Sequence, residues 1–163
     1  EFRRVLFRSC GISEKEARRV SALYFSMFPN IKVWQAEIAS TLGKTRVMTT
    51  PFGRTRTFMS PYSDMLVKEA LAFVPQSTVG DITNQGIYRL EEMLPEDCYL
   101  ALTVHDSITV QCPESRIDEV VGLMKEAMTA DIEINGMICD IPVDAQVGRV
   151  SWGELENYDE DPA

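Results

Sequence analysis

The sequence has 163 residues, 45% hydrophobic and 25% charged, with a formal net charge of −9; this suits one globular domain or a large piece of a bigger protein. No apolar run approaches the roughly 18 residues of a membrane span, so no membrane association is expected. One histidine and four cysteines without a C-x-x-C pair point away from structural zinc and towards free thiols in a reducing compartment. The charge is uneven: residues 1–80 carry 12 basic and 6 acidic groups, and residues 81–163 carry 4 and 19.

The first nine residues, EFRRVLFRS, are basic but lack the apolar stretch and cleavage site of a secretory signal, and the texture changes abruptly at Cys10. Ser13-x-x-Glu16 is a capping box, and Ala17, Val20, Tyr24, Met27 and Phe28 follow at helical spacing. Phe28-Pro29-Asn30 breaks that helix. A second puts Ile31, Trp34, Ile38 and Leu42 on one face, with Gly43 as its stop. RVMTT-PFG-RTRTF reads as a hairpin whose arms carry Arg46, Arg54 and Arg56. No acid stands between Ile38 and Ser63, so this stripe either tracks phosphates or is a solvated basic hairpin.

SDMLVKEALAF is helical, and Pro75 is expected to end it. A new helix then starts with Thr78-x-x-Asp81 as its cap and contains Gly80 and Gly86, two places where another backbone can approach closely. In CYLALTVHDSITVQC, Leu100, Leu102 and Val104 alternate before His105-Asp106, and Ile108 and Val110 alternate after it. The pattern predicts a hairpin with those two residues at its tight tip. Ser115-x-x-Asp118 caps a last amphipathic helix through Ile117, Val120, Val121, Met124 and Met128; CDIPVDAQVG follows as an edge strand and ELENYDEDPA as an acidic tail. Helices followed by a hairpin, a helix and a strand make the fold class α+β.

The His105-Asp106 tip admits two readings. A carboxylate held rigidly between two apolar strands is available to a metal, and aspartate also simply favours turns. A histidine–aspartate phosphohydrolase would need further histidines, and nothing resembles a nucleophile elbow or a Gly-rich phosphate loop.

LTVHDSITV resembles the palm motif of family A DNA polymerases, in which a His-Asp pair and usually a glutamate form a hairpin tip. The other segments occur in the family's order. YFSMFPNIKVWQAEI is similar to its helix pair, TPFGRTRTF to its Gly-Arg-Arg segment, and VPQSTVGDI to its Pro-x-Gln-Gly-Thr-Ala-Ala-Asp helix start. DAQVGRVSWGEL resembles its last strand and closing tryptophan turn, so the resemblance runs over about residues 13–158. It implies helices plus a small antiparallel palm sheet. It also implies a DNA-directed DNA polymerase that extends a primer 3′ end with deoxynucleoside triphosphates on primer-template DNA, using two Mg²⁺ ions. Asp106 matches the second metal-binding aspartate, and His105 the residue that contacts the primer terminus. Ser107 stands where glutamate is usual. Gln76 matches a glutamine that reads the minor groove, and Lys68 a primer-contacting arginine, keeping charge without the fork. Ala72 falls where some members have asparagine. Arg54 and Arg56 match the Gly-Arg-Arg positions, as DNA contacts or as structural residues. For Asp81, the cap role is sufficient.

The resemblance implies partial fingers and a following helix over residues 10–75, palm over 76–158 and an acidic tail over 159–163. Neither the family's first metal-binding aspartate motif nor its Arg/Lys/Tyr nucleotide helix precedes Ser13, so this polypeptide alone is expected not to polymerise. Back-translated one way, residues 1–9 resemble the end of a short-read sequencing adapter; the expectation is a translated library artefact joined to the gene near Cys10. The parent is expected to be a monomeric, cytoplasmic enzyme of a bacterial or phage-infected cell, with VPQST and Ser107 suiting a phage-like replicase. The alternative is a non-catalytic DNA-binding palm remnant, with Asp106 an ordinary turn residue.

Overall fold

The computed structural model describes residues 11, 13–134 and 136–158. The adapter-like leader, Cys10 and the acidic residues 159–163 lie outside them. The chain divides into two compact units, one of residues 1–48 and 55–73 and the other of 49–54 and 74–163.

In the first unit α1 spans Glu14–Met27 behind the expected capping box. The Ser13 N–H donates to Glu16 Oε2 at 2.9 Å, and the Glu16 N–H donates to Ser13 Oγ at 3.3 Å. The apolar stripe read along this helix is corrected by the structure. Of its members only Ala17 is buried, together with Ser21, while Val20, Tyr24, Met27 and Phe28 stay exposed. The inward face is the small one, with Ala17 and Ser21 at i and i+4. The helix α2, Pro29–Thr45, starts with proline at its first position, where the missing N–H has no intrahelical role. It buries Ile38 and Leu42 as expected. Gly43 does not stop it: the helix runs to Thr45, and Arg46 caps it at φ 61°, its N–H donating to Leu42 O at 3.2 Å.

The hairpin follows as β1 (Val47–Thr49) and β2 (Thr55–Thr57), paired with each other. In its connecting turn Gly53 takes φ 81°, and the Gly53 N–H donates to Thr50 O at 2.9 Å.

The largest departure from expectation is α3. A single 30-residue helix, Asp64–Met93, contains Pro75. An interior proline removes one hydrogen bond and crowds the preceding turn, at about 3 kcal/mol. Burial along the helix offsets this: Leu66, Ala70 and Phe73 are buried before the proline, and Thr78, Ile82, Thr83 and Leu90 after it. Thr78 is therefore no cap. It sits inside the helix with its hydroxyl donating to Val74 O at 2.7 Å.

In the second unit β3 (Tyr99–Val104) and β4 (Ser107–Gln111) form an antiparallel hairpin. A 3₁₀ turn, Glu114–Arg116, leads into α4, Ile117–Met128. Ser115 therefore lies in that turn, and Arg116 occupies the cap position without a side-chain bond to the helix backbone. Val120, Val121, Ala127 and Met128 of α4 are buried. The main cluster joins Leu90 of α3, Ile108 of β4, and Ala127 and Met128 of α4; Ile87, Leu100 and Val110 pack around it. Of the two glycines on α3, only Gly86 meets another backbone. A Cβ there would lie 3.4 Å from Ala127 O and 3.5 Å from Met128 Cα, whereas one at Gly80 would meet open space.

The segment read as one closing edge strand is divided. An unforeseen strand β5, Ala130–Ile134, pairs with β6, Met137–Ile141, and Pro142, which has no N–H to donate, stands just past the end of that ladder. Then β7 (Gln146–Val147) pairs with β8 (Glu156–Asn157) around a 3₁₀ turn at Trp152–Glu154. The fold is α+β, and the strands of the described residues are arranged as four two-stranded sheets. Among the described residues no helix is long and apolar enough to cross a membrane.

Candidate functional site

The β3–β4 hairpin presents His105 and Asp106 as the two residues of its loop, with Val104 facing Ser107 across the ladder. His105 takes φ 56°, the left-handed region that histidine enters more readily than most residues. The Ser107 hydroxyl donates to Val104 O at 2.8 Å and so closes the turn. His105 and Asp106 are both exposed, and no hydrogen bond or ion pair engages either side chain among the described residues. The hairpin is anchored at its base: Ile108 of β4 is buried, and Val110 of β4 and Leu100 of β3 pack beside it. On β3 the expected alternation is broken by a bulge at Ala101, since Leu100 faces Val110 and Leu102 faces Thr109. Leu102 and Val104 are consequently exposed, at 40% and 36%.

Arg54 and Arg56 of the first hairpin are engaged internally. Arg54 grips Asp81 of α3 with Nε 2.9 Å and Nη2 2.5 Å from Oδ1. The Asp81 hydrogen bond and charge hold the guanidinium more firmly protonated than usual. Asp81 is thus the partner of Arg54 rather than a helix cap, as its position inside α3 requires. In the first unit, Arg56 pairs with Glu69 at 3.3 Å, and its guanidinium lies 4.5 Å from the Phe58 ring centre and 5.9 Å from that of Phe73. Arg46 lies 5.8 Å over the Tyr62 ring. Lys68 and Gln76 are exposed on α3, Lys68 in the first unit and Gln76 in the second. Within the second unit, no hydrogen bond or ion pair among the described residues joins Gln76 or Arg54 to the His105-Asp106 tip.

The sequence reading missed a cleft of about 490 Å³ lined by Phe52, Arg54, Asp81, Asn84, Gln85 and Tyr88. Its signal was partly present as Asp81, Asn84, Gln85 and Tyr88, spaced to share one face of the helix expected from Thr78 onward; what no local signal supplies is the turn that brings Phe52 and Arg54 to that face.

Comparison with known proteins gives a consistent picture. The profile of the family described as DNA polymerase family A matches residues 3–154. "DNA polymerase I, thermostable" from Thermus filiformis is 35% identical over 153 residues, covering 88% of this chain and 17% of that protein. DNA polymerase I from Streptococcus pneumoniae serotype 4 is 27% identical over 139 residues, covering 80% and 16%. Among solved structures, the POL domain of Pol1 from M. smegmatis, in complex with DNA primer-template and dNTP, superposes with a TM-score of 0.66 at 20% identity. That match covers 76% of this chain and 23% of that one, and it is a likeness of fold. The chain therefore spans about 17% of the length of the Thermus relative.

Proposed function

Since the chain belongs to DNA polymerase family A, we propose that it is part of a DNA-directed DNA polymerase, a nucleotidyltransferase that extends a primer 3′ end and releases pyrophosphate. The observation that carries this reading is the hairpin tip, where a two-residue loop holds Asp106 exposed beside His105. Residues 10–75 are assigned to partial fingers and the following helix, and residues 76–158 to palm. Primer-template DNA and deoxynucleoside triphosphates are the expected ligands, the same two classes that the M. smegmatis Pol1 domain holds in its complex. The parent enzyme is read as a monomer of a bacterial or phage-infected cytoplasm.

Each site residue has a role in this reading. Asp106 supplies a hard oxygen ligand of the kind Mg²⁺ prefers, and His105 meets the primer terminus. The Gln76 amide, which both donates and accepts, reads the minor groove. Lys68 offers a mobile point charge to a phosphate. Arg54 and Arg56 reach DNA only by sharing or exchanging the carboxylates they hold, Asp81 and Glu69. Among the described residues no three His, Cys, Asp or Glu side chains gather where they could hold a metal ion. One carboxylate at the tip, with serine beside it, does not make up a Mg²⁺ site, and no chemical step is assigned to these residues alone.

The test uses the longest open reading frame containing this chain, assayed by primer extension and by fluorescence anisotropy on primer-template DNA. Asp106→Ala is expected to lower extension by about 10³-fold, the loss of several kcal/mol of charge stabilisation, while DNA affinity stays within about twofold. Extension that persists in the variant overturns the assignment of Asp106. An unsubstituted protein that binds DNA with no extension in Mg²⁺ supports the other reading, a DNA-binding palm remnant.

A further inference from the structure

We propose that Cys98 and Cys112 form a reversible disulfide site that staples the base of the hairpin carrying His105 and Asp106. This inference rests on the fold and is independent of the proposed activity. The last pair of the β3–β4 ladder is Tyr99 opposite Gln111, so the next residues outward, Cys98 and Cys112, face each other. Facing residues of an antiparallel pair lie about 4.5–5.5 Å apart at Cα, inside the roughly 4.4–6.8 Å that a disulfide spans. Both cysteines are free. Cys98 is held in place by its N–H, which donates to Pro95 O at 2.9 Å, and its thiol lies within electrostatic reach of Cys112.

The surroundings set the order and speed of the chemistry. Cys98 is 6% exposed and Cys112 is half-buried, so Cys112 meets an incoming oxidant first. Burial pushes both thiols up; the Asp97 carboxylate adds to this for each, and Arg116 opposes it at Cys98. Few thiolates are present at neutral pH, so the pair stays reduced in a reducing compartment and reacts slowly outside one. With a small-molecule disulfide such as oxidised glutathione as electron acceptor, the Cys112 thiolate attacks one of its sulfurs. That S–S bond breaks, one glutathione thiolate leaves, and a mixed disulfide remains. The Cys98 thiolate then attacks the Cys112 sulfur and expels the second glutathione. Two cysteine thiols lose two protons and two electrons, and the acceptor becomes two thiols.

The experiment treats the full 163-residue chain with oxidised glutathione, natively and in concentrated urea, followed by alkylation, digestion and mass spectrometry. In the native chain the Cys98–Cys112 peptide is expected as the dominant linked species. In urea four cysteines allow three full pairings, and loop closure favours the shortest loop, so that link is expected in about half of fully oxidised molecules. The native rate is expected to rise about tenfold from pH 7 to pH 8, as the thiolate fraction does. Cys98→Ser is expected to trap glutathione on Cys112, and Cys112→Ser to leave Cys98 largely unmodified. A native yield no higher than that in urea, or linkage chiefly through Cys139 or Cys10, overturns the proposal. Capture of glutathione by Cys98 in the Cys112→Ser variant as fast as by Cys112 overturns the order of attack.

Discussion

The contact between Arg54 and Asp81 offers a sharp test of how the first hairpin's turn packs on α3, because its two partners differ in exposure. The Arg54 side chain is 52% exposed and that of Asp81 is 13% exposed. Two guanidinium nitrogens lie 2.5 and 2.9 Å from one carboxylate oxygen, and the bond ties the turn after β1 to α3 across 27 residues. A hydrogen bond to a charged group contributes about 1.5–3 kcal/mol, and solvent screening at a half-exposed arginine reduces it. A coupling energy of about 1–2 kcal/mol follows. Removing Asp81 leaves an arginine that water can solvate, and alanine in mid-helix returns a few tenths of a kcal/mol of propensity. Removing Arg54 leaves a carboxylate that is mostly enclosed, which costs more. Arg54→Ala is therefore expected to destabilise by about 2–3 kcal/mol and Asp81→Ala by about 1. Urea unfolding of both single variants and the double variant, read by far-UV circular dichroism, gives the coupling through a double-mutant cycle. In about 1 M salt the coupling should shrink, since the screening length falls to about 3 Å. A coupling below about 0.3 kcal/mol, or a larger loss from Asp81→Ala than from Arg54→Ala, would refute this reasoning.

The two glycines of α3 should respond in opposite ways. Gly80→Ala, into open space, is expected to stabilise by about 0.5–1 kcal/mol. Gly86→Ala places its Cβ 2.5 Å from Met128 Sδ, between backbone contacts; the repacking of about 1–3 kcal/mol cancels or exceeds the same propensity gain. Equal shifts in urea midpoint would count against the close packing of α3 on residues 127–128. At the start of α1, the Ser13 hydroxyl and then its N–H hold the Glu16 carboxyl below its ordinary value of 4.5. A depressed folded pKa contributes stability that is present above the ordinary value and is lost as pH falls through the folded one. Acidification below about pH 4 should therefore free the Ser13 amide, seen by its NMR shift and exchange rate, and Glu16→Gln should remove that titration. A Ser13 amide that moves only above about pH 5 would contradict the capping box.

Local signals carry much of this fold in the sequence. The capping box, the Phe28-Pro29 break and the two-residue tip at His105-Asp106 each depend on chemistry within a few residues, and each stands where the sequence places it. Signals whose outcome depends on distant partners behave differently. Pro75 ends a helix in isolation, but buried side chains on both sides of it carry α3 through. Gly43 is a good stop signal, yet Arg46 takes the left-handed cap. The apolar spacing of Val20, Tyr24 and Met27 is real, while the residues that α1 buries are the small Ala17 and Ser21. The strand β5 escapes a local reading because ADIEI follows directly on α4 with only Thr129 between them.

The acid-free stretch between Ile38 and Ser63 shows the same limit where it touches function. Counted along the sequence, its four cations, Lys44, Arg46, Arg54 and Arg56, form a stripe fit to follow phosphates. In space, Asp81 and Glu69 come from α3 to neutralise Arg54 and Arg56, and Arg46 lies over the Tyr62 ring. A charge count along the chain cannot see this, because the compensating acids are 27 and 13 residues away. Any gain in DNA affinity from these two arginines must therefore exceed the ion pairs it disturbs. Breaking such a pair from the acidic side makes the competition measurable. In the longest reading frame, Glu69→Gln should strengthen primer-template binding and steepen its salt dependence by about one counterion if Arg56 contacts a phosphate. An unchanged salt slope would mean that Arg56 serves the fold alone, held by Glu69 and the rings of Phe58 and Phe73.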